Sequence, residues 1–213
     1  MEAKKGKRAL VITGGECFPE YLDIDPHGYD VVIAADSGLY NARELGIVPG
    51  VVIGDFDSFS GILPEGVTVI RLPAHKDVTD TTAACDYASE KLGCESILVI
   101  GGTGGRLDHT IANISYLENM KQRGINATLS DGKNTCRILR DETIEIESFD
   151  GFFSVFALDE AIVSESGSEY TLDEAKIIRQ VPLGVSNEIR SGKAKISVSG
   201  TVVFTTYSEK RKT

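Results

Sequence analysis

The chain has no apolar run long enough to cross a bilayer, and its first segment, MEAKKGKRALVITGG, carries an apolar stretch of only Ala9–Ile12. That is too short for the apolar region of a signal peptide, so the expectation is a soluble, cytoplasmic protein with no membrane partner. Its four cysteines form no C-x-x-C pair and no Cys/His cluster with zinc spacing. They are expected to be small, buried or half-buried side chains rather than a disulfide framework. Positive charge is scarce, with 22 Lys and Arg against 32 Asp and Glu and a formal net charge of −10. That balance argues against a general nucleic-acid binder, so no nucleic-acid partner is expected, because phosphate backbones call for clustered Lys and Arg. The basic residues that do gather, at Lys4–Arg8 and Lys210–Lys212, fit solvated tails. Also missing are a G-K-[ST] phosphate loop, a G-x-G-x-x-G opening the first strand–helix unit, any internal repeat and any linker rich in Pro, Gly or Ser. These absences weigh against a P-loop NTPase and a dinucleotide-binding oxidoreductase, and against loosely tethered domains.

What is present divides into two rhythms. Up to about Asn134, apolar runs at 9–13, 31–35, 51–53, 67–71, 97–100 and 127–129 alternate with helix-like stretches at 37–45, 79–92 and 109–123. Runs such as VVIAA and ILVI are apolar throughout, as in strands covered on both faces. The expected fold is an N-terminal α/β domain, residues 1–134, with a mostly parallel, Rossmann-like sheet. From 135 to 213 short alternating segments follow one another (CRIL, ETIEIE, FFSVFAL, AIVSES, AKIIRQ, KAKISVS, TVVFTTY) with no helical period. They predict an all-β domain, a small sandwich or roll, closing in a hairpin that turns at Ser199–Gly200.

Ligands of open α/β sheets bind beyond the carboxyl ends of the strands, and four such ends here carry glycines, acids or both. They are Gly14-Gly15, Asp36-Ser37-Gly38, Gly54-Asp55-Phe56-Asp57-Ser58 and the loop Gly101–His109. In GDFDS, two aspartates two residues apart in an extended stretch point the same way. Unpaired at a separation of about 4 Å, they would repel by about 4 kcal/mol at an effective dielectric near 20. A cation removes that penalty, and oxygen ligands on a strand end suit Mg²⁺; a solvated turn capped by Asp is the plainer alternative. Lys76, Asp77, Thr79 and Asp80 stand together at a helix start, where one acid and one hydroxyl are ordinary capping. A lysine beside two acids is more than capping needs and fits a metal-bridged polyphosphate. In GGTGGRLDH, exposed backbone N–H groups and Arg106 can hold phosphate, although glycines also serve tight turns.

Taken in order, Ala35–Gly38, Gly54–Ser58, Lys76–Asp80, Gly104–His109 and Gly184–Glu188 resemble the motifs of the thiamin pyrophosphokinase family. The resemblance spans most of the chain. It implies an N-terminal α/β domain for ATP, a C-terminal β domain that binds thiamin, and a homodimer with thiamin bound between subunits. It implies Asp55, Asp57 and Asp80 as ligands of Mg²⁺. Lys76, Arg106 and His109 would hold phosphate or nucleotide, with Thr79 beside them and Asp36 and Asp108 completing the pocket. Ser186, Asn187 and Glu188, which by themselves read as a polar turn, would face thiamin. The activity implied is transfer of the pyrophosphoryl group of ATP to the thiamin hydroxyl. A carboxylate near that hydroxyl, Asp77 or Asp80, is then expected to take the proton. Ser37 stands where the family's turn has its first glycine, and with no Trp in the chain any stacking on thiamin must come from Phe or Tyr. A kinase acting on another vitamin or pterin alcohol, or moving only the γ-phosphoryl group, would use nearly the same residues. A non-catalytic nucleotide sensor would keep the glycines but not the carboxylates.

Overall fold

A computed structural model describes residues 6–56, 61–73 and 77–209. The chain divides into two compact units, Met1–Gly132 and Lys133–Thr213.

In the first unit, β1 (Lys7–Ile12), β2 (Val31–Ala35), β3 (Val51–Gly54), β4 (Thr68–Arg71), β5 (Cys94–Ile100) and β6 (Asn126–Ser130) form a sheet. All of its pairs are parallel, in the order β4-β3-β2-β1-β5-β6. The continuously apolar strands take its centre: Leu10, Ile12, Ile33 and Ile100 are wholly buried. Each such side chain contributes about 1.5–3 kcal/mol of hydrophobic stabilisation. Helix α1 (Gly38–Glu44) follows β2, α2 (Asp80–Asp86) precedes β5, and α3 (Leu107–Gln122) joins β5 to β6. Helix α2 starts where the Thr79 hydroxyl accepts from the Thr82 N–H at 3.1 Å, and it runs on into a π-helical turn at Tyr87–Lys91. Helix α3 ends at Gly124, whose φ of +80° is the left-handed conformation that closes helices without a Cβ penalty. Among the described residues no helix is long and apolar enough to cross a membrane.

The second unit contains only strands among its described residues: β7 (Asn134–Arg140), β8 (Thr143–Glu147), β9 (Gly151–Ser166), β10 (Leu172–Ile178), β11 (Gly184–Asn187) and β12 (Lys193–Ser208). All of their pairings are antiparallel. Strand β12 runs beside β9 over most of its length, with β8 on its other side at Lys193–Ser197 and β7 at Thr201–Tyr207. The hairpin expected at Ser199–Gly200 is therefore absent. Gly200, at φ +109°, makes a bulge in one continuous strand at the point where β12 exchanges β8 for β7. Its N–H donates to Asp141 Oδ1 at 2.8 Å, and the Asp141 N–H donates to the Gly200 carbonyl at 3.0 Å. FFSVFAL and AIVSES likewise belong to one strand, β9. Phe153, Val155, Ala157, Ala161, Val163, Ile196, Val202 and Phe204 form the core of this unit.

Candidate active site

Strand order reverses at β1: successive strands β2 to β4 lie on one side of it, and β5 and β6 on the other. A doubly wound sheet opens a crevice at such a point, beyond the carboxyl ends of the strands. A cleft of about 580 Å³ lies there, walled by residues from the ends of β1, β2, β3 and β5 and from the starts of α2 and α3.

Glycines let its loops close on one another. A Cβ on Gly15 would stand 2.0 Å from the Gly101 carbonyl oxygen, and one on Gly38 would stand 2.0 Å from that of Ile12. Three buried or half-buried polar side chains then hold the loops in place. Asn41 Nδ2 donates to the carbonyls of Thr13 (2.6 Å) and Gly15 (2.8 Å). Asn113 Nδ2 donates to the Gly102 carbonyl at 2.8 Å, and the Thr103 hydroxyl donates to Asp131 Oδ2 at 2.8 Å. Motif reading missed Asn41, Asn113, Thr103 and Asp131. Thr103 lies inside the quoted glycine loop without standing out from it, Asn41 and Asn113 are polar residues on helices, and Asp131 directly follows a strand.

Of the residues expected to serve the site, Asp36, Asp55, Thr79, Asp80, Arg106 and His109 all line the cleft. Asp36 is buried and left-handed, at φ +46°, where β2 turns into α1. Glu16, which the motifs did not single out, also lines the cleft and packs over Gly104. Asp77 and Asp108 are exposed and do not line it. Asp108 forms an ion pair with Arg106, whose hydrogen bonds hold its carboxyl down to about 2. The Thr79 hydroxyl is engaged in capping α2 and also donates to Thr82 Oγ1 at 3.0 Å. Asp57 and Lys76 lie outside the described residues.

Asp55 and Asp80 offer the carboxylate oxygens that a hard divalent cation takes. Among the described residues, no three acidic, histidine or cysteine side chains are close enough together to hold an ion unaided.

Ser186, Asn187 and Glu188 belong to the second unit, at the end of β11. Asn187 is 5% exposed, and its amide is fully taken by protein partners. Ser186 is exposed at φ +58°, its N–H donating to Ser154 Oγ at 3.0 Å. Glu188 lines a second cleft of about 590 Å³ within this unit, together with Phe149, Asp150 and Arg190.

Residues 27–129 match the family model described as thiamin pyrophosphokinase, catalytic domain. The chain is similar to the thiamine pyrophosphokinase of Bacillus subtilis (strain 168), with 29% identity over 204 residues, 90% of this chain and 94% of that one. Among solved structures it is similar to a thiamine pyrophosphokinase from Bacillus subtilis, with a TM-score of 0.83, 25% identity, and coverage of 96% of this chain and 100% of that chain. A thiamin pyrophosphokinase family protein from Enterococcus faecalis gives a TM-score of 0.82 and 26% identity, again covering 96% of this chain and 100% of that one. In sequence and in fold, the chain is similar to the thiamin pyrophosphokinases.

Proposed function

We propose that this chain transfers the pyrophosphoryl group of ATP to the hydroxyl of thiamin, giving thiamin diphosphate and AMP. The observation that carries the reading is the meeting of Asp36, Asp55, Asp80, Arg106 and His109 on one glycine-walled cleft at the strand-order reversal. A cleft lined by glycines, a guanidinium and carboxylates is suited to a metal-bound polyphosphate.

Asp55 and Asp80 are assigned to Mg²⁺, with Asp57 as the third candidate from the GDFDS motif. Bound there, magnesium supplies neutralisation of the polyphosphate charge. Arg106 and His109 are assigned to phosphate or nucleotide, as is Lys76 from the sequence. Asp108 acts on Arg106 rather than on the ligand. The thiamin oxygen forms a bond to the β-phosphorus as the bond from that phosphorus to the bridging oxygen breaks, and AMP leaves carrying the bridging oxygen. The hydroxyl proton passes to a carboxylate. Asp80 lines the cleft and Asp77 does not, which favours Asp80 for that role. Positioning and charge neutralisation carry the rate, as in other phosphoryl transfers.

The α/β unit is assigned to ATP and the β unit, a small sandwich or roll, to thiamin. Ser186 and Glu188 are the proposed contacts to thiamin, and Asn187 holds them. Thiamin is placed between subunits of a homodimer. Exposed apolar side chains of the β unit, Tyr170, Val181, Leu183 and Val185, support that assembly. Use of ATP fits the cytoplasmic setting expected from the sequence. The test is to supply the purified chain with ATP, Mg²⁺ and thiamin and to resolve the products. Equal amounts of AMP and thiamin diphosphate support the proposal, whereas ADP with thiamin monophosphate overturns the transfer chemistry.

A further inference from the structure

We infer that Glu165 is a positioning residue for thiamin, fixing the Asn187 amide and through it the backbone that presents Ser186 and Glu188. The inference rests on the reading above that Ser186 and Glu188 meet thiamin.

Glu165 stands where the alternation of β9 calls for an apolar side chain. Counting by twos along the strand, Ala161 and Val163 point into the core, and Glu165 follows them at 3% exposure. Its register partners are Leu172 on β10 and Ile196 on β12, the latter wholly buried. A carboxylate in such surroundings costs free energy that an apolar residue of similar volume would not. Burial pushes its carboxyl above the ordinary range, against the Asn187 hydrogen bond that pulls it down. Oε1 has no hydrogen-bond partner among the described residues. Its other oxygen, Oε2, accepts from Asn187 Nδ2 at 2.7 Å.

That contact completes the Asn187 amide. Oδ1 accepts from the N–H groups of Tyr170 (3.0 Å) and Glu188 (2.9 Å), and Nδ2 donates to the Tyr170 carbonyl (2.6 Å) and to Glu165. Two acceptances and two donations are all that an Asn side chain offers. The amide therefore staples the 167–171 turn to the end of β11 and fixes the direction of the Glu188 N–H. The backbone it holds is strained at Ser186, φ +58°, a conformation that a serine keeps only where its surroundings impose it. Removing the Glu165 acceptor frees one N–H of the amide and loosens the staple, without touching any group assigned to ATP.

Steady-state kinetics of Glu165→Leu, Glu165→Asp, Glu165→Gln, Ser186→Ala and Glu188→Gln test the inference. Glu165→Leu is expected to raise KM for thiamin about tenfold, the scale of one hydrogen bond to a charged group, and to leave KM for ATP unchanged. Glu165→Gln, which keeps an acceptor for Asn187, is expected to restore KM for thiamin. A fault confined to stability would move neither KM selectively. Wild-type KM for thiamin in Glu165→Leu, beside raised values in Ser186→Ala and Glu188→Gln, overturns the positioning role and leaves the thiamin contacts standing. Wild-type values in all the variants overturn both. If Glu165→Leu does not fold, Glu165→Asp, whose carboxylate is drawn back from Asn187, decides: an unchanged KM for thiamin there overturns the role.

Discussion

Asn113, on α3, donates from Nδ2 to the carbonyl of Gly102, 2.8 Å away and in the loop that leads to the same helix. The helix thus holds the glycine loop on its own amino-terminal side, and the bond is buried.

Replacing that donor should loosen the cleft. Asn113→Asp puts an acceptor against a carbonyl that has lost its donor, and an unpaired buried group costs about 1–3 kcal/mol. A lowered midpoint in thermal unfolding is expected, together with a raised KM for ATP. An unchanged midpoint and KM would mean that the loop is held by other contacts.

Gly15→Ala should act more sharply. Its Cβ would stand 2.0 Å from the Gly101 carbonyl oxygen, a backbone atom of a neighbouring strand end that cannot swing aside as a side chain can. The two loops must separate, so ATP binding measured by calorimetry is expected to be lost in a chain that retains its far-ultraviolet circular dichroism. Tight ATP binding by this variant would show that the loops do not form the phosphate wall.

The central parallel strands β1, β2, β3 and β5 were legible because each holds a continuous apolar run, and Asp36 and Asp55 were legible because they stand at the ends of such runs. Gly200 was not, because Ser-Gly is a turn signal at the level of local sequence. Whether a glycine turns the chain or bulges it depends on the strands beside it, here β7, β8, β9 and the Asp141 carboxylate. In β9, Asp159-Glu160 looks like a break, yet β12 pairs with the strand on both sides of it, at Ala157 and at Ala161. Asn41 and Asn113 bond to backbone carbonyls of other segments, which no local pattern announces. The S-N-E segment was legible only through family likeness, and its middle residue faces the protein's interior rather than solvent.

Glu165 predicts a pH dependence of stability. Its carboxyl is raised in the folded chain from an ordinary value of 4.5. The folded state therefore holds this proton more tightly than the unfolded one, and stability falls as pH rises from about 4.5 through the raised folded value. Glu165→Gln is expected to gain thermal stability relative to wild type at neutral pH, and the gain should vanish below about pH 4.5. A pH-independent difference between the two proteins would contradict this account.

The dimer is open to a direct test at its proposed apolar stretch. Val185 is 44% exposed and Leu183 57% exposed, and a charge there would be buried on association. Val185→Asp is expected to sediment as a monomer at concentrations where wild type sediments as a dimer, and to lose turnover. A monomeric wild type with full activity would remove the shared site.

In the proposed transfer two phosphorus atoms move together. ATP labelled on its β-phosphorus, incubated with thiamin, Mg²⁺ and the purified chain, distinguishes this from ordinary kinase chemistry in one chromatogram. The label is expected to pass into thiamin diphosphate while the released AMP is unlabelled. Label retained in ADP would contradict it.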